Sequence, residues 1–262
     1  FDTALKQAQD LGFAEADPTF DIEGVDAAHK ITILASIAFG IPINFDAVHV
    51  EGISNLSQKD ITYAEELGYK IKLLGIAKSQ NADVEIRVHP TLVPKNRLVA
   101  NVDGAMNAVL VHGNMVGPTL YYGAGAGAEP TASAVVADVI DIARQTKLSQ
   151  NTLIPSLGFM PDKINEKNIL SIENIISEYY LRFTMKNQAG LLAKITNIFA
   201  DHDISINSMV HKEVQENNQN PDIFLITSKT KEADIDTIIS EIELLPENIE
   251  KVVKIRTEEL NK

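Results

Sequence analysis

Residues 179–210 read YYLRFTMKNQAGLLAKITNIFADHDISINSMV, and the spacing of their apolar positions changes twice. Tyr179, Leu181, Phe183 and Met185 alternate with Tyr180, Arg182 and Thr184, the period of a strand with one face toward a core. Past Asn187-Gln188-Ala189-Gly190, residues Leu191, Leu192, Ile195, Ile198 and Phe199 fall at helical spacing, and Ile204–Val210 returns to a strand. Downstream, Ile223–Thr227 reads as a strand after the Asn-rich loop 216–220. Ile235, Ile238, Ile239 and Ile242 mark a second helix, and Val252–Arg256 a last strand. The order strand, helix, strand, strand, helix, strand predicts a ferredoxin-like βαββαβ unit over residues 177–262.

Upstream the signals mix. Helices are predicted over Asp2–Leu11, Gly24–Phe39 (stopped by Gly40 and Pro42), Ser57–Leu67 (Ser57 as cap, Gly68 as stop) and 129–147. Phe13–Glu23 reads as an acid-rich loop. Lys70–Ala77 and Val84–Val88 form one expected hairpin, and Asn107–His112 with Thr119–Tyr122 another. In Val84–Val88 the apolar residues alternate with Glu85, Arg87 and His89, which predicts one polar face. Val84–Val88, Asn107–His112 and Thr119–Tyr122 are expected in one mixed sheet that could bury an interface between two copies. The fold class is therefore α/β (α+β): a mixed-sheet unit over 1–148, a linker with a partial strand over 149–176, and the βαββαβ unit.

Composition narrows the function. Of 262 residues, 45% are apolar and 23% charged, the balance of a globular chain. With no cysteine, a disulfide scaffold, a thiolate metal site and a thiol nucleophile are excluded. A net charge of −13 argues against nucleic acid or an anionic membrane as partner. The longest apolar run, Ile31–Ile43, is too short to span a bilayer, and no signal peptide opens the chain. The histidines show no i,i+3 or i,i+4 pair, so no metal is expected.

Three groupings could carry chemistry. Asp26 and Lys30 stand four apart at the start of an otherwise apolar helix, beside the acids Glu15 and Asp21. Spacing alone favours a solvated ion pair, with a lysine set among carboxylates to move a proton as the alternative. Gly123-Ala-Gly125-Ala-Gly127-Ala-Glu129-Pro130 follows a strand and opens a helix. It fits a tight turn, or a backbone open to an approaching cofactor, but no second strand ending in an acid follows, as a dinucleotide fold requires. Asn187–Gly190 is an ordinary strand-to-helix loop or a site where helix N–H groups meet a small carboxylate.

Residues 11–30, LGFAEADPTFDIEGVDAAHK, resemble the catalytic segment of homoserine dehydrogenases, and GAGAGAEPTASA at 123–134 resembles that family's second glycine-rich stretch. Residues 179–210 look like an ACT domain, an amino-acid-sensing module. The resemblance implies interconversion of L-homoserine and L-aspartate 4-semialdehyde with NAD or NADP, on the route to threonine, methionine and isoleucine. It makes Lys30 the proton donor and acceptor, with Asp26 orienting it, and Glu15 and Asp21 the holders of the substrate. Gly125, Gly127 and Glu129 would approach the cofactor. Asn187, Gly190 and Asn207 would bind a regulatory amino acid such as threonine. It also implies a cytoplasmic enzyme forming a homodimer or higher oligomer. The family's nucleotide-binding Rossmann domain is missing, and the first residue is Phe1 rather than Met. The expectation is a piece of a longer enzyme, inactive by itself. The alternative is an amino-acid-binding or dimerisation module with no catalysis of its own.

Overall fold

A computed structural model describes residues 2–10, 16–80, 83–147, 155–212 and 220–260. Helix α1 (Asp2–Asp10) and the short α2 (Thr19–Ile22) precede the long α3 (Val25–Phe39). The α2 turn lies inside the acid-rich segment expected to be a loop. Gly24 and Gly40 bracket α3 with φ of 77° and 63°, left-handed conformations that glycine adopts without strain. Strand β1 (His49–Val50) leads to α4 (Gln58–Glu66). At its start Ser57 and Asp60 exchange side-chain and backbone hydrogen bonds as a capping box.

Strands β2 (Tyr69–Gln80) and β3 (Asp83–Pro94) form a hairpin of 12 residues each, longer at both ends than the sequence predicts. Strands β4 (Met106–Gly113) and β5 (Gly117–Ala124) pair only with each other, and α5 (Ala128–Gln145) follows. The expected common sheet of β3, β4 and β5 is thus not formed. Residues 161–163 and 172–174 are single 3₁₀ turns. The partial strand foreseen before residue 176 is one bridge, Ile169 beside Val84.

The C-terminal unit matches the predicted order: β6 (Ile176–Thr184), α6 (Leu191–Asp201), β7 (Ile206–Lys212), β8 (Asp222–Thr227), the two-residue β9 (Thr230–Lys231), α7 (Glu232–Glu243) and β10 (Val253–Thr257). Tyr179, Leu181, Phe183 and Met185 pack with Ile195, Phe199, Ile235, Ile238 and Ile242 as its core. Its sheet does not end at the unit boundary. Strand β10 pairs antiparallel with β6 and parallel with β3, so one sheet runs β1-β3-β10-β6-β8-β7 through both units.

Within that sheet β3 is buried on both faces. Val84, Ile86 and Val88 pack on Ala28 and Ala35 of α3. The opposite face, which alternation alone assigns to solvent, carries Glu85, Arg87, His89 and Thr91, all buried. There Arg87 donates to Glu258 (3.3 Å) and to His89 Nε2 (2.6 Å). An arginine can only donate, so His89 Nε2 accepts, and Nδ1–H faces the Pro90 carbonyl at 2.9 Å. Burial, with Arg256 and Arg87 nearby, holds the His89 pKa well below 6.5. A depressed histidine leaves the unfolded chain binding more protons, so its stability contribution is intact above pH 6.5 and fades as pH falls toward the folded value. The thermal midpoint is expected to fall on going from pH 7 to 5, and His89→Gln, which cannot charge, to flatten that fall. A slope unaltered by the substitution overturns the assignment.

Candidate functional site

Among the described residues, the N-terminal end of α3 brings a predicted cation and carboxylate together. Lys30 donates to Asp26 at 2.5 Å, with side chains 65% and 39% exposed. Asp26 is the second residue of α3, where the helix dipole favours a carboxylate. From Thr32 on, the polar residues Thr32 and Ser36 are buried, so the exposed charges of the helix lie at this end.

Asp21 sits exposed on α2, which one edge-on ring contact holds against α3, Phe20 with His29 at 5.4 Å; His29 in turn meets Phe45 edge-on at 4.3 Å. The α2 helix starts where Asp17 accepts from the Thr19 backbone (3.1 Å) and hydroxyl (2.6 Å), bonds that lower the Asp17 pKa. Glu15 lies outside the described residues. Residue spacing carries no sign of the support behind α2. Segment 51–54 lies against it, with Ile53 N–H donating to the Ile22 carbonyl (2.9 Å) and Ser54 Oγ to Glu23 Oε1 (2.5 Å).

The glycine stretch is a separate place. Gly125 N–H bonds back to Ala105 O at 3.4 Å, and a Cβ at Gly125 would meet the Asn107 amide at 2.0 Å, so a larger residue has to displace the exposed Asn107 side chain. Gly127 caps α5 with φ 121°, a conformation open only to glycine. Glu129 is exposed in the first turn. This leaves bare backbone at the start of an 18-residue helix, where a ligand can approach the main chain. No residue of α5 is buried, and Val135, Val136, Val139, Ile140 and Ile142 are exposed, as are Ile33, Leu34 and Ile37 of α3.

A concavity of 190 Å³ opens at the start of α6, lined by Asn187, Gln188, Gly190, the first turn Leu191–Ala193, and His211. Gly190 (φ 85°) begins the helix without a side-chain cap, so its N-terminal dipole faces the hollow. Asn207 is not there: it donates to Thr227 O (3.1 Å) and Glu178 (3.5 Å) at the other end of β7. His211 lies four positions further along the strand, about 13 Å away. The residue that sequence reasoning missed is His211, which strand pairing brings back beside the loop.

Among the described residues no group of three or more His, Asp or Glu gathers as for a metal ion, and no helix is long and apolar enough to cross a membrane.

Family models place residues 1–140 with homoserine dehydrogenase and residues 179–247 with the ACT domain. Homoserine dehydrogenases of Pseudomonas aeruginosa and Neisseria gonorrhoeae are 50% and 51% identical over 261 residues. The chain spans 60% of the length of each. The crystal structure of a homoserine dehydrogenase from Thiobacillus denitrificans superposes with a TM-score of 0.91 at 55% identity, over 99% of this chain and 59% of that one. The Staphylococcus aureus enzyme at pH 6.0 gives 0.69 at 33% identity.

Proposed function

The chain belongs to the homoserine dehydrogenase family, and from that premise we propose that it carries the substrate and regulatory portions of the interconversion of L-homoserine and L-aspartate 4-semialdehyde. The observation that carries the reading is the exposed Asp26–Lys30 pair, set in the segment that the family model matches. A bound nicotinamide cofactor supplies the hydride chemistry at the substrate's C4. The residues of this chain do the rest. In the reductive direction the Lys30 ammonium donates a proton to the carbonyl oxygen as it becomes a hydroxyl, and in the oxidative direction the neutral amine takes that proton back. Asp26 holds Nζ in place. Asp21, with Glu15, presents negative charge to the substrate's ammonium group. Gly125, Gly127 and Glu129 face the nicotinamide end, and the choice between NAD and NADP lies elsewhere.

In this reading residues 1–148 are the catalytic and dimerisation unit, 149–176 the connection, and 177–262 the ACT unit of a cytoplasmic biosynthetic enzyme. A dehydrogenase assay of the full-length protein tests it: turnover of homoserine is expected there, and little with the 262 residues alone. Full turnover by the 262 residues would show that the rest of the enzyme is unnecessary.

A second reading, an amino-acid-binding and dimerisation module, is favoured by the 190 Å³ hollow and by the exposed apolar faces of β4, β5 and α5. The two readings are compatible. A small carboxylate such as that of L-threonine fits at the α6 N-terminus beside His211. Calorimetry of L-threonine with the chain is expected to show binding that His211→Ala weakens several-fold. Equal affinity in the variant removes His211 from the site.

A further inference from the structure

Two arginines of the ACT unit end on one short segment of the other unit. Arg256 of β10, 1% exposed, donates to both oxygens of Glu51 (2.9 and 2.8 Å) and on its other side to Glu232 of α7. Arg182 of β6 donates to Asp60 through Nε (2.6 Å) and Nη2 (3.3 Å), with Tyr180 donating to the same carboxylate at 3.2 Å. Asp60 is fully buried. These carboxylates are the two ends of segment 51–60.

Between those ends the segment supports the turn that bears Asp21. Beyond the two bonds from Ile53 and Ser54, the contact is close: a Cβ on Gly52 would lie 2.6 Å from the Ile22 carbonyl and 2.7 Å from Glu23 Cα. Ile22 and Glu23 lie between Asp21 and Gly24, which opens α3 just before Asp26. A bidentate arginine–carboxylate pair fixes distance and angle, not just proximity, so the segment is held at both ends in one orientation.

We propose that Arg256 and Arg182 are positioning residues for the substrate-holding turn, acting through segment 51–60. The ACT unit thereby sets the geometry of a site it does not touch. This rests on the assignment of Asp21, Asp26 and Lys30 to substrate binding and proton transfer. Positioning of the turn affects how well substrate is held, while Lys30 and its proton transfer stay intact.

Glu51→Gln tests it, because it keeps size and one hydrogen bond while removing the charge. In the 262-residue chain, amide hydrogen exchange over residues 19–24 is expected to speed up several-fold, with β4 and β5 unaltered as reference. In the full-length protein KM for homoserine is expected to rise several-fold, with kcat within about twofold of the parent. Gly52→Ala, which displaces the segment without touching either arginine, is expected to reproduce both effects. Unaltered exchange at residues 19–24 and unaltered KM in Glu51→Gln overturn the proposal, even if the thermal midpoint falls. The exchange measurement is independent of catalysis. Full activity of Lys30→Ala would defeat the catalytic assignment, whereas the exchange result would still report on the support of the turn.

Discussion

Lys30→Ala in the full-length protein is expected to lower kcat by about 10²–10⁴-fold, the usual contribution of a positioned acid–base group, and to shift KM for homoserine only modestly. Lys30 is exposed and bonded within its own helix to Asp26, so nothing in the core depends on it. Alanine is a better helix former, and the thermal midpoint should stay within a degree or two. Loss of rate without loss of fold is the signature of a group used in the transition state. A kcat within about threefold of the parent would remove Lys30 from the mechanism.

Asp60→Ala is expected to be the most damaging single change to stability. Asp60 is fully buried and serves two structures at once, closing the α4 capping box and neutralising Arg182. Its removal leaves the buried guanidinium with the more distant Thr184 (3.4 Å) and Glu250 (3.9 Å), which costs about 3–5 kcal/mol, together with a lost cap of roughly 1 kcal/mol. For a chain of this length the midpoint should fall by about 10 °C or more. Asp60→Leu combined with Arg182→Met, which removes both charges, should recover much of that loss. A fall of less than about 1 kcal/mol in the single variant would mean that Arg182 finds another partner or water.

The same interface shows where sequence reading reached its limit. The strand and helix order of residues 177–262 was legible because each element carries a clean period, 2 in β6 and 3.6 in α6. The Asp26–Lys30 pair was legible because it depends on spacing within one helix. Arg182, Arg256 and Glu51 gave no signal, since their partners lie far away in the chain. Glu85, Arg87 and His89 look like a solvent face by alternation, yet they are buried, and Glu258, just after β10, pairs with Arg87. His211 likewise reaches the hollow only through strand pairing, while Asn207 of the same strand is carried away from it.

The shared sheet also has a consequence for how this chain folds. Strand β10 fills the position between β3 and β6, and its pairing with β3 joins residues more than half the chain apart. Contacts of such separation form late, because loop closure precedes any reward. Until residues 253–258 have left the ribosome, β3 presents an open edge at Thr91 and Leu92, and Arg87 lacks its Glu258 partner. An edge of that kind invites pairing with other chains. Synthesis halted shortly before residue 253 should therefore yield aggregate rather than a smaller working unit.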